Sequence, residues 1–239
     1  MRLNRYITEV KFDISRAVGL IQRDCGQILK HYKTYNPLYR GTGFENSPFI
    51  TNNVGARLGE RRPKDTPLWA HEYMNDKLTK KFGWPVRDGL SVTVKVDQAR
   101  AYGNTYFFFP TNGYKWAYII GVGDAFQYID DHISMIDLEK FQTGPEDEWK
   151  KWNDELDAGD HAHGNFKKTK KDSPYRAAGL DAALDKVIDQ YTDAPWNRAN
   201  GEILFNTKKY YLVSTRYAEA ISETLDIWPK VNFKLGFFD

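Results

Sequence analysis

The sequence predicts an α+β chain: one long helix, then strands interleaved with two further helices. Three observations carry this. Ile7, Val10, Ile14, Val18, Ile21, Cys25, Ile28 and Tyr32 recur every three or four residues, the stripe of an amphipathic helix. Residues 89–128 hold the densest run of alternating, β-branched and aromatic residues in the chain. Residues 201–214, GEILFNTKKYYLVS, read as a strand, a turn at Asn206–Lys209 and a returning strand.

Each element follows in order. The first helix occupies residues 1–35, is a packing helix rather than a cofactor-binding one, and is ended by Asn36-Pro37. PLYRG then gives a short strand, followed by the polar stretch NNVGARLGERRPKDTP. Asp65-Thr66-Pro67 resembles a helix start, with a capping side chain ahead of a proline at the first helical position. That helix places His71, Met74, Leu78 and Phe82 on one face and stops at Gly83 and Pro85. His71 on such a face is a satisfied structural histidine more often than a ligand. Gly89–Lys95 alternates, and a short helix around Ala99 packs back on that strand. Thr105–Phe109 and Tyr114–Val122 are strands joined by the hairpin connection Pro110–Gly113. Leu180, Leu184, Val187 and Tyr191 mark the last helix.

No linker separates two complete cores, so residues 1–239 read as a single domain. Residues 130–175 lose the apolar pattern and read as a surface insertion with a short helix at Trp149–Leu156. At 41% hydrophobic and 28% charged the chain can bury a core, and a net charge of +2 neither demands nor excludes a polyanion partner. Its 15 Tyr, 14 Phe and 7 Trp suit a β-rich core and clefts that stack flat ligands. One cysteine, Cys25, rules out an internal disulfide framework and a cysteine-rich zinc site; it falls on the helix stripe as core filler. No apolar run reaches membrane-spanning length and MRLNRYITEV lacks a signal-peptide core. The expectation is a chain kept in a reducing cytoplasm, with no membrane partner.

Three places can carry chemistry. Arg40 in PLYRGTGF offers a rigid fork of donors that matches phosphate oxygens, and Gly41 lets a ligand approach the backbone. An arginine at a strand edge is also common without any ligand. Ser91 and Thr93, two apart on a strand, put two hydroxyls on one side, which a solvent-facing edge strand also does. Glu202 opens an apolar strand after the loop PWNRANGE, which supplies Trp196, Arg198 and Asn200. In an extended segment Asn200 and Glu202 project together.

The order of these pieces is similar to that in mono-ADP-ribosyltransferases of the arginine–serine–glutamate class. LYRG stands for the arginine strand, and LSVTVKVDQARAY for the middle motif, with Ser91 as its first serine and Thr93 as its last. NGEILFNTKKYYLV stands for the final acidic strand and its return. The resemblance covers about a quarter of the chain. It departs at Asn200, where the family has glutamate or glutamine, and in the length of the Ser91–Glu202 interval. The chain is also similar to uncharacterised proteins of tailed phages, which implies the host cytoplasm.

The resemblance implies a split β-sandwich with an N-terminal helix and flanking helices, and NAD as substrate. Arg40 would hold the pyrophosphate, Gly41 leave room for nicotinamide, Ser91 orient the acid or the ribose, Thr93 support the strand, and Glu202 stabilise a ribose cation. Asn200 would face the acceptor, a protein or nucleic acid, with Trp196 and Arg198 beside it. Water as acceptor would make the chain an NAD glycohydrolase instead. A non-enzymatic phage accessory or nucleic-acid-binding protein is the reading from a different class; the basic run KKTKK at 167–171 would then contact phosphates. Asp160-His161-Ala162-His163 supplies too few ligands for a metal, and His132 has no nucleophile partner or Gly-x-Ser-x-Gly elbow.

Overall fold

Strands from both ends of the chain interleave in one antiparallel sheet. The computed structural model describes residues 13–43, 47–52, 58–59, 66, 68–122 and 181–228, and the expected insertion with its short helix lies outside them. The fold is mixed helix and antiparallel sheet.

Among the described residues the N-terminal stripe folds as two helices rather than one, α1 (Ile14–Asp24) and α2 (Gly26–Tyr32); Ile7 and Val10 of the expected helix lie outside them. Asp13 caps α1 by accepting from the Arg16 N–H at 3.2 Å. The break falls at Cys25, with φ −119° and ψ 23°, next to Gly26, a weak helix former. Helical bonding nevertheless spans it, from Cys25 N–H to Ile21 O and from Leu29 N–H to Cys25 O, at 2.8 and 3.1 Å. The loosened turn is taken up by Asn112, which accepts from Gln27 N–H and donates its own N–H to Asp24 O, each at 2.8 Å. Ala17, Val18, Ile21, Cys25, Ile28 and Tyr32 stay buried, so the stripe continues through the break.

The strands are β1 (Tyr39–Thr42), β2 (Phe49–Asn52), β3 (Leu90–Thr93), β4 (Asn104–Pro110), β5 (Lys115–Ile120), β6 (Tyr191–Thr192), β7 (Ala199–Asn206) and β8 (Tyr210–Ser214). They form an eight-stranded sheet in the order β2-β8-β4-β1-β3-β7-β5-β6. β1 and β3 share one paired position, Tyr39 with Thr93. Helices α3 (Leu68–Phe82), α4 (Val96–Arg100), α5 (Asp181–Asp189) and α6 (Ala218–Leu225), with short 3-10 turns at Val86–Asp88, Trp196–Arg198 and Thr215–Tyr217, complete the described elements.

Three of these differ from the sequence expectation. β2 and α6 were not expected. Tyr191, read as part of a helix face, instead lies past the end of α5 and pairs with Ile119 on an edge strand. Its spacing from Leu184 and Val187 fits a helix, but the pairing with β5 overrides that local period.

Alternation along β7 divides the interior. Ile203 and Phe205 join the large aromatic cluster that includes residues of α1, α2 and α6, whereas Leu204 joins a smaller one with α3 and α5. Among the described residues no helix is long and apolar enough to cross a membrane.

Candidate active site

The sheet order makes neighbours of the three strands that carry the sequence motifs. β1 borders β3, and β3 borders β7. In that register Ser91 lies opposite Leu204 and Thr93 opposite Glu202, so all four side chains leave the sheet on one side.

Thr93 ends its strand with its own hydroxyl. Oγ1 accepts from the Lys95 N–H at 3.0 Å and donates to Gln98 Oε1 at 2.6 Å, a local turn that starts α4. The hydroxyl is thereby committed to structure. Ser91, half-buried on the same side, has a hydroxyl with no hydrogen-bond partner among the described residues.

Glu202 stands at an irregularity. On the β5 side, Tyr118 pairs with Ile203 but Ile120 pairs with Ala199, so β7 carries extra residues at 200–202. On the β3 side pairing is kept, and Val94 N–H donates to Gly201 O at 3.3 Å. Such bulges re-aim a side chain beside an otherwise regular ladder. Asn200, within the bulge and exposed, donates from Nδ2 to Gly121 O at 3.2 Å, pinning β7 to the end of β5. Gly121 has φ +73°, a conformation that favours glycine. The half-buried Glu202 lines a small concavity with Tyr118, Ile119, Val122, Tyr191 and Leu204. Its carboxylate has no hydrogen-bond or ion-pair partner among the described residues.

Arg40 approaches from elsewhere. Tyr39 pairs with Thr93, so alternation sends Tyr39 and Gly41 to the Glu202 side and Arg40 to the other. From there its half-buried guanidinium donates through Nη1 to the main-chain oxygen of Ser91 and sits 5.8 Å from the Tyr210 ring centre. Arg40 therefore touches the serine strand directly, but through backbone rather than through the serine hydroxyl.

Two expectations are corrected. Gly41 does not leave room for a ligand: a Cβ there would lie 1.9 Å from the Ala99 carbonyl oxygen and 2.8 Å from Tyr102 Cβ, so the space is already filled by α4 and its following turn. Trp196 does not face an acceptor. It is 0% exposed, donates from Nε1 to Asn36 O at 3.1 Å, and packs against Tyr32, Tyr35, Trp116 and Phe205; its large apolar surface is worth more inside the core than at a polar rim. Arg198, two residues on, is exposed. Burial raises the Tyr118 phenol above its ordinary range, and the charge of Arg198 pulls it partly back.

The turn before β3 is held by a buried polar cluster. His71 Nε2 lies 2.7 Å from Asp88 Oδ1, Asn75 Nδ2 donates to the same oxygen at 2.9 Å, and Gly59 N–H donates to Oδ2 at 2.5 Å. Asn75 Oδ1 accepts from Arg87 N–H at 2.8 Å, and Arg87 Nη1 donates to Tyr191 Oη at 3.2 Å. His71 is thus the structural histidine its helix face implies.

The sequence did not signal Arg87, Tyr191 or Val122, which are brought near β7 by register and by a side-chain bond. Leu204 was within reach, since it follows Glu202 by two along a strand. Compared with family models, with curated proteins and with solved structures, the chain matches none of them.

Proposed function

We propose that this chain transfers ADP-ribose from NAD to a macromolecular acceptor, protein or nucleic acid, and releases nicotinamide. One juxtaposition carries the reading: Glu202 stands opposite Thr93 on the strand whose Ser91 carbonyl is held by Arg40. An arginine strand, a hydroxyl strand and an acid strand, far apart in the chain, are consecutive in the sheet. The single paired position between β1 and β3 supports a sheet that divides there into two layers.

In this reaction the C1′–nitrogen bond of the nicotinamide ribose breaks, and the bonding pair leaves with neutral nicotinamide. Positive charge then spreads over C1′ and the ring oxygen. An acceptor nucleophile bonds to C1′ and releases its proton. Glu202 stabilises the developing cation, an interaction that grows only as the bond parts and so lowers the barrier rather than merely binding substrate. The bulge at 200–202 aims the acid, and the apolar wall of Tyr191, Leu204 and Val122 strengthens its field by keeping water scarce. Ser91 offers a hydroxyl to the acid or to the ribose. Arg40 fixes β3 from the opposite side of the sheet through the Ser91 carbonyl. Asn200, its amide tied to Gly121, lines the acceptor side with Arg198.

The test uses NAD labelled on the adenylate, the full chain and a cell lysate. Nicotinamide release with label on a macromolecule is expected. Release with all label in free ADP-ribose would make the chain a glycohydrolase, and no release would overturn the reading.

A further inference from the structure

We infer that the acceptor is a nucleobase amine on a single strand, read by Asn200 and Arg198; this rests on the transfer reaction proposed above. Asn200 can be turned one way only. Its Nδ2 donates to Gly121 O at 3.2 Å, and turning the amide over would set Oδ1 against that carbonyl, two acceptors with no hydrogen between them. Gly121 itself sits in a left-handed turn, φ +73°. The amide oxygen is therefore the end left over, on an exposed residue, and it has no partner among the described residues.

The chain that brings these two residues to β7 is braced by three ring donors. Trp116 Nε1 donates to Ala194 O at 3.1 Å, Tyr118 Oη to Pro195 O at 2.9 Å, and Trp196 Nε1 to Asn36 O at 3.1 Å. Arg198 closes the short turn that follows, two residues before Asn200. It is exposed, with no hydrogen-bond or ion-pair partner among the described residues. A neutral acceptor atom and a positive charge thus stand together on a rigid base, next to Glu202 in the chain.

That pair selects by chemistry. An amide oxygen accepts a hydrogen bond but is too weak a base to deprotonate a guanidinium or an ammonium, and Arg198 repels both. A carboxylate offers no N–H and meets the charge of Glu202. A protein hydroxyl or amide gives Arg198 nothing to hold. An exocyclic base amine is neutral and carries two N–H groups, and its strand supplies phosphate for the guanidinium. One N–H bonds Asn200 Oδ1. The amine nitrogen bonds to C1′ as the bond to nicotinamide breaks, and its other proton passes to solvent. The base must leave its stack to reach the acid, which costs least in a single strand.

The test gives the full chain NAD labelled on the adenylate and one of several acceptors. These are a plain thymidine strand, the same strand carrying one central dA, dC or dG, the uridine RNA counterparts, and nuclease-treated lysate protein. Label on at least one amine-bearing strand, about tenfold above the plain strand, is expected. Arg198→Glu and Asn200→Ala should each lower the label captured per nicotinamide released about fivefold, the arginine variant most clearly at low salt. Tm of each variant reports folding. Label on lysate protein alone, equal label on the plain strand, label only in free ADP-ribose, or capture indifferent to both substitutions would overturn the inference. Nicotinamide release in those cases leaves NAD cleavage standing, whereas no release with any acceptor sinks the transferase reading itself.

Discussion

Thr93 and Glu202 face each other across β3 and β7, the threonine tied to the start of α4 and the acid aimed by a bulge. The rigid partner thus sits on one strand, and the carboxylate, without a partner among the described residues, on the other. Replacing Glu202 by Gln keeps size and strand pairing but removes the charge. Nicotinamide release at saturating NAD should fall by roughly two to three orders of magnitude, with NAD affinity and Tm unchanged. A variant that still cleaves NAD at the native rate removes Glu202 from the chemistry.

Arg40 bridges β1 to the Ser91 carbonyl. Arg40→Ala should lower stability by about 1.5–3 kcal/mol, the worth of a hydrogen bond to a charged group. Arg40→Lys keeps the charge but loses the fork, and should fall between the two. Urea midpoints of both variants equal to that of the native chain would show that the Arg40–Ser91 bond does not clamp β1 to β3.

Gly41 has no space for a methyl group, because the obstacle is the backbone oxygen of Ala99 at 1.9 Å from the Cβ position. Gly41→Ala should therefore cost about 3 kcal/mol, roughly 6–12 °C in Tm. A thermal melt that matches the native chain would mean that α4 does not seat on β1.

Asp24 predicts an acid limb. The Arg23 guanidinium at 2.7 Å and the Tyr211 hydroxyl hold its carboxyl well below the ordinary range. A depressed folded value means that its contribution is complete at neutral pH and is lost as pH falls below about 4. Asp24→Asn should be less stable than the native chain at pH 7, with the gap in urea midpoint narrower at pH 3. A constant gap at both pH values would show that Asp24 contributes nothing through its charge.

Much of this architecture was legible in the letters because local signals and packing agree. The apolar stripe of residues 14–32, the α3 face of Met74 and Leu78, and the strands β4 and β5 all appear where periodicity puts them. What was hidden depends on distant partners. β2 is only four residues long and owes its state to β8, and Tyr191 changes class because β5 offers it a pairing. At the site, Ser91, Thr93 and Glu202 were found by strand contexts, and their shared side follows from register. Trp196 was misread because a loop tryptophan beside an arginine looks exposed, whereas its indole is enclosed by rings from α2, β5 and β7. Gly41 was read as an opening because no sequence signal reports that a helix carbonyl fills the gap.

β7 slots between β3 and β5, and β8 between β2 and β4. A polypeptide leaving the ribosome as far as β5 therefore holds two unfilled gaps in its sheet. At about 5–20 residues per second the wait until β7 emerges lasts roughly 4–17 s. During that time bare ladder edges invite chaperones or clumping.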